Sequence, residues 1–252
     1  FVFLMNERAK EIGMPNSRFA NPHGLDDHEH HYSTAYDMAI LTQYAMNNDT
    51  FNEIFSAKTY KSYTLNEEQK VRYWRNKNKL LTGLYKYSTG GKTGYTKRAK
   101  RTLVSSAEKK DLSLIAVTLD APNDWNDHIS MFEYAFTNYE KVKLLNVGKY
   151  PYIEDPFYKN KILIKYPVYY PITKEERDQL TSSLSLYKPP KRDEWKSGAP
   201  EPVGRLQIQL DDEIISSVPL FFDGNPLNEQ TDNIFQKIKL LFFFNLKAEF
   251  DD

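Results

Sequence analysis

A chain of 252 residues with 34 Lys+Arg against 34 Asp+Glu carries no net charge, so no global field gathers nucleic acid or an anionic membrane, and its length suffices for one large domain or two smaller ones. Cysteine is absent, which excludes disulfides, thiolate zinc sites and cysteine nucleophiles together, and no run reaches the ~18 apolar residues of a membrane span. This composition fits a cytosolic protein and an exported bacterial one equally, while 18 Tyr and 15 Phe favour a strand-rich fold over disorder.

Phe1, Met5, Ala9 and Ile12 share one face at helical spacing, and Gly13 follows as a stop, which predicts a helix over Phe1–Ile12. No capping residue precedes Phe1 and no secretory leader is read there. The expectation is a segment cut from a longer chain; the alternative is a domain that starts on exposed apolar residues. Met14–His31 reads as a loop rich in turn residues. Thr34 and Asp37 have the spacing of a reciprocal cap, with Tyr36, Ile40, Leu41 and Tyr44 as the apolar stripe of the helix that Asn47-Asn48 closes. Phe51–Phe55 predicts a further helical turn.

Lys58–Leu65 and Lys70–Arg75 read as antiparallel strands around a turn at Asn66–Gln69. Gly90–Thr96 enters another strand. Arg101–Ala107 and Leu112–Leu119 are apolar enough to predict central sheet positions, joined by the turn Glu108–Asp111. Asp124 is expected to cap a helix to about Tyr139, with Trp125, Phe132, Ala135, Phe136 and Tyr139 inward. Beyond Lys141 the character changes. Strand-like runs at Lys161–Ile164, Pro167–Tyr170, Arg205–Leu210 and Ile214–Leu220, parted by Pro-rich loops, predict a second, mostly β domain. The expected division is residues 1–141 and 142–252.

The stretch with the clearest chemistry is Gly91-Lys92-Thr93-Gly94-Tyr95-Thr96. Lys92 supplies a cation and Thr93 a hydroxyl donor, together able to hold a carboxylate by charge-assisted bonds. Gly94 has no β-carbon, so a substrate backbone can lie close to it. A hairpin start with a solvated lysine is the structural alternative. Two further stretches flank it: Asn21-Pro22-His23-Gly24-Leu25-Asp26, and His31-Tyr32-Ser33-Thr34-Ala35-Tyr36-Asp37-Met38-Ala39. Asn76-Lys77-Asn78-Lys79-Leu80-Leu81 precedes the triad.

In this order and at these distances the stretches resemble the low-molecular-mass penicillin-binding proteins, serine-type D-alanyl-D-alanine carboxypeptidases, over about Phe1–Tyr139. The resemblance implies an α/β (α+β) transpeptidase-like domain, incomplete at its N-terminus, followed by the smaller β domain. It implies removal of the terminal D-Ala from peptidoglycan stem pentapeptides through an acyl-serine, without a cofactor, outside the cytoplasmic membrane. Lys92, Thr93 and Gly94 would bind substrate, the backbone N–H of Tyr95 would be an oxyanion donor, and β-lactams would acylate the same serine. That serine belongs to a Ser-x-x-Lys string upstream of the triad. The two such strings present, Ser106–Lys109 and Ser185–Lys188, fall after the triad, the first in a turn expected to face solvent. No Ser-x-Asn occurs, and Tyr158-Lys159-Asn160 lies in the wrong domain. The 252 residues alone are therefore expected to be inactive and poorly folded. A β-lactamase-like hydrolase and a non-catalytic wall-binding scaffold are the rival functions.

Other signals carry less. His23, His28, His30 and His31 crowd among acids without a known ligand spacing, so a polar loop outweighs a metal site. His128 reads as a surface or helix-packing residue. Lys97, Arg98, Lys100 and Arg101 suit either a solvated edge or attraction to anionic wall polymer. Ile234–Phe250 suits either an interfacial helix making peripheral membrane contact or a last core element.

Overall fold

The computed structural model describes residues 1–64, 70–189 and 199–223, in two compact units, Phe1–Thr137 and Asn138–Asp252. The expected turn at Asn66–Gln69 and the segment Ile234–Phe250 lie outside the described residues.

The first unit opens with helix α1 (Val2–Glu11), whose first residues have no side-chain cap. Ala9 and Ile12 are buried as the spacing predicts, but Phe1 is exposed. Helix α2 (Ala35–Ala45) starts where Thr34 Oγ1 accepts the Asp37 amide, yet Asp37 does not reciprocate. Its carboxylate instead accepts from the Asn16 amide at 2.9 Å and the Ser17 hydroxyl at 2.6 Å. A buried carboxylate gains more from two loop donors than from one frayed helix amide. Tyr36, expected in the apolar stripe, is exposed. Asn48 closes α2 and also caps α3 (Asp49–Ser56), accepting from the Phe51 amide.

Strands β1 (Thr59–Tyr63) and β2 (Val71–Arg75) form a separate antiparallel pair. A π-helical turn (Leu80–Leu84) with Gly83 at φ 142° leads into β3 (Ser88–Thr96). Strands β3, β4 (Lys100–Lys109) and β5 (Leu112–Leu119) make an antiparallel sheet in that order. Helix α4 (Asp124–Asn138) covers one face, with Phe132 on Leu103, Ala107 and Ala116. Helices α2 and α3 pack on the other side of the sheet. Two-sided cover explains the apolar runs of β4 and β5. Centrality holds for β4, which lies between β3 and β5, while β5 pairs with β4 among the described residues. The β4–β5 turn is also tighter than expected, only Lys110 and Asp111, with Lys110 at φ 56°. Asp124 does not cap α4; its carboxylate accepts from the Arg101 guanidinium at 2.6 Å.

The second unit contains β6 (Glu140–Leu145), β7 (Gly148–Lys149), β8 (Ile162–Ile164), β9 (Val168–Ile172), β10 (Thr181–Leu186), β11 (Gly204–Leu210) and β12 (Glu213–Phe222). One sheet has the order β10-β11-β12-β8-β7, and β6 pairs with β9. Alternation on β11 places Leu206 and Ile208 beside Tyr158, Ile162, Val218 and Leu220 in a core of its own.

Candidate functional site

Strand β3 carries the triad. Lys92 stands opposite Val104 of β4, Thr93 opposite Leu103, Gly94 opposite Thr102 and Tyr95 opposite Arg101. Its other edge has no strand partner among the described residues, so backbone groups there are open to an extended ligand. Lys92 is exposed and its ammonium donates to the Thr93 carbonyl; Thr93 is half-buried and the Tyr95 ring exposed. Successive strand side chains leave opposite faces. Lys92 and Thr93 can therefore meet one carboxylate only at the strand's edge.

The glycines here are required by packing. A β-carbon on Gly90 would sit 2.2 Å from the Phe55 ring of α3. On Gly91 it would sit 2.2 Å from Asn78 Nδ2 and 2.7 Å from the Val104 carbonyl. On Gly94 it would meet Thr102 Oγ1 at 2.4 Å, so the bare Cα of Gly94 makes room for the neighbouring strand.

The flanking stretches converge on this sheet. Asp26 Oδ2 accepts the Arg98 amide at 2.9 Å. A bond from the Thr96 hydroxyl, then the Arg98 amide, hold its carboxyl below the usual range, which ties the first stretch to the β3–β4 turn. Asn21 organises that loop, accepting the Gly24 amide and donating to Asp27 and to the Leu25 carbonyl. The Arg18–Tyr32 bridge and the bonds of Asp37 to Asn16 and Ser17 tie the second stretch to residues 16–18, and α2, which it begins, packs on β4 and β5. Asn78, fully buried under Gly91, accepts the Leu80 amide, while its Nδ2 has no partner.

Ser106 does not face solvent as expected. It is buried, 2.7 Å from Thr89 Oγ1, because the strand extends to Lys109 and draws the residue into the sheet. The lysine of that string lies 3.7 Å from Glu133 and over the Tyr87 and Phe136 rings. Ser185 is exposed on β10. Tyr158 is a core residue of the second unit.

The histidine-rich loop uses its rings locally: Nδ1 of His23, His28 and His31 accept the Leu25, His30 and Ala20 amides. No cluster of three or more potential metal ligands occurs among the described residues. Arg101 leaves the basic run to pair with Asp124 and lie over Trp125. His128 is not on the surface. It is fully buried between α4 and the sheet, 2.6 Å from Ser105 Oγ and 3.0 Å from Thr118 Oγ1. Burial pushes its pKa down to about 4, against the opposing pull of Asp124 and Asp127. Ser105 and His128 have the spacing of a nucleophile and base, but both are sealed from solvent. The pair instead packs the sheet directly behind Gly91, which stands opposite Ser105. One signal in the sequence pointed to it, the placement of His128 one turn before Phe132 on the inward stripe of α4.

A cavity of about 710 Å³ lies between α2, α3 and β4–β5, lined by Tyr36, Ile40, Phe55, Ser106 and Ile115 among others. None of Lys92–Tyr95 lines it. Among the described residues no helix is long and apolar enough to cross a membrane.

Residues 1–123 match the family described as D-alanyl-D-alanine carboxypeptidase. Residues 139–225 match the penicillin-binding protein 5 C-terminal domain. A D-alanyl-D-alanine carboxypeptidase, DacF, of Bacillus subtilis is 38% identical over 143 residues, 56% of this chain and 36% of the relative. DacA of Escherichia coli, which carries the same description, is 28% identical over 256 residues, 96% of this chain and 60% of the relative. The solved penicillin-binding protein 5 of Haemophilus influenzae superposes with a TM-score of 0.65 at 26% identity, over 88% of this chain and 64% of that one. The chain thus spans between about a third and just under two thirds of the length of these relatives.

Proposed function

Because the chain belongs to the low-molecular-mass penicillin-binding protein family of D-alanyl-D-alanine carboxypeptidases, we propose that the protein it represents removes the terminal D-Ala from peptidoglycan stem pentapeptides. The reaction proceeds through an acyl-serine that β-lactams also form, and it takes place outside the cytoplasmic membrane. The observation that carries this reading is the open edge of β3 bearing Lys92, Thr93, Gly94 and Tyr95, with the Asp26 loop bound to its turn.

The substrate lies extended along that edge. Its terminal carboxylate receives the Lys92 ammonium and the Thr93 hydroxyl. The Tyr95 amide donates to the carbonyl oxygen as it gains negative charge, where one such donor is worth about 3–4 kcal/mol. The acylating serine and its base are assigned to the remainder of the protein, since Ser106 is spent within the sheet and Ser185 stands in the second unit.

The test uses the full-length protein with fluorescent penicillin and a short peptide ending in D-Ala-D-Ala. Stoichiometric labelling and D-Ala release are expected, with Lys92→Ala lowering kcat/KM about a hundredfold through loss of a charged hydrogen bond. A full-length protein that neither takes the label nor releases D-Ala overturns the reading.

A further inference from the structure

We infer that the β1–β2 hairpin is a binding surface for the anionic peptidoglycan polymer that carries the substrate peptide; this rests on the carboxypeptidase reading. The hairpin is exposed on both faces, and among the described residues neither strand pairs with any strand but its partner. Such a pair buries too little to be explained by its own stability.

Its residues are unusual for an idle loop. Tyr60 (67% exposed) stands opposite Trp74 (55%) on one face; Tyr63 and Tyr73 (78%) lie on the other with Val71. Cations interleave with these rings: Lys58, Lys61, Lys70, Arg72 and Arg75, with no acid at 58–64 or 70–75. The hairpin stays positive with Glu67 and Glu68 counted, in a chain whose net charge is zero. Lys58, Arg72 and Arg75 have no ion pair among the described residues, and Lys61 lies over the Tyr63 and Tyr73 rings at 5.3 and 5.8 Å.

A contiguous apolar patch would suit a protein partner. Rings alternating with exposed cations suit a hydrated, ring-containing polyanion. Pyranose rings lay their C–H faces on Tyr and Trp, and stem-peptide carboxylates meet Arg and Lys. The hairpin's footing points to the same occupant. Before β1, the Phe55 ring fills the space a β-carbon on Gly90 would need; after β2, Asn78 fills that of Gly91. Asn76 braces this end, donating to the Ala57 carbonyl and accepting the Asn78 amide. Both feet therefore stand on the two residues immediately before Lys92, and polymer held on the hairpin has its peptide beside the candidate site.

The experiment compares three full-length variants with wild type: Tyr60→Ser with Trp74→Ser, Arg72→Gln with Arg75→Gln, and Tyr152→Ser, an equally exposed tyrosine of the second unit, as control. Readouts are co-sedimentation with purified peptidoglycan sacculi, D-Ala release from sacculi and from a short peptide, and thermal melting to verify folding. The two hairpin variants are expected to bind sacculi and to process them about tenfold less well, the equivalent of about one lost contact of 1.4 kcal/mol. Short-peptide turnover and melting should stay unchanged, and the control should match wild type. Wild-type sedimentation by both hairpin variants overturns the inference, as does an equal loss on the short peptide, which would place the hairpin's effect at the catalytic site. Single-stranded oligonucleotide competing as well as soluble glycan fragments overturns it in favour of a nucleic-acid surface. If wild type releases no D-Ala from the short peptide, the carboxypeptidase reading fails by itself, and sedimentation still decides the hairpin.

Discussion

His128 takes the packing alternative of its two expected roles, not the surface one. The ring is enclosed by Ser105, Thr118 and Phe132, with Asp124 and Asp127 its charged neighbours. Its folded pKa of about 4 lies below the ordinary value of 6.5. Between those values the unfolded chain takes up a proton that the folded ring refuses. Stability present above about pH 6.5 is therefore lost as pH falls towards 4, by about 3 kcal/mol in full. Urea unfolding midpoints measured across this interval should fall with pH in wild type and fall less in His128→Gln, which keeps hydrogen-bonding capacity without titrating. An identical pH slope in the variant would refute the assignment. The sequence offered only the spacing of His128 to Phe132; Asp-Trp-Asn-Asp-His otherwise reads as polar until β4 and β5 supply the two hydroxyls that satisfy the ring. Lys92-Thr93-Gly94 stands out in the sequence by residue type and order, and its role in holding a carboxylate belongs to the proposed function.

At the scale of elements, β3 is held from beneath. The side-chain-free Cα of Gly91 lets Asn78 and the Val104 carbonyl close in, so Gly91→Ala forces either the Asn78 side chain or the β3–β4 spacing to give. The expected cost is about 1–3 kcal/mol, read as a lower melting temperature; an unchanged melting temperature would mean that this contact relaxes freely. Gly94 invites a substrate-approach explanation from sequence alone, and the tertiary structure adds that its bare Cα also accommodates Thr102. Strands were legible for β1 to β5, β8, β9, β11 and β12, from alternation, apolar runs and bounding turn residues. The sequence reading missed β6, although its lysines alternate with aliphatics, and Ser-rich β10. Weak β-formers become strands when a neighbour offers a ladder, as β9 and β11 do here.

For the whole molecule, the described residues of the second unit form a core of their own, with Tyr158, Ile162, Val203, Leu206 and Leu220 fully buried. Residues 138–252 expressed alone are expected to give a cooperative thermal transition and dispersed amide resonances. A gradual, non-cooperative melt would show that this core depends on the first unit.

Sequence alone determined the class of elements, the β-rich character of the second unit and the motif stretches that carry the family resemblance. These depend on local periodicity, turn chemistry and residue identity, all of which are short-range along the chain. Tertiary structure decided the partner of Asp37, the burial of Ser106 and His128, and the footing of the β1–β2 hairpin on Gly90 and Gly91. Those outcomes depend on which groups from distant segments meet in a space without water, where each buried polar atom takes the best donor or acceptor within reach.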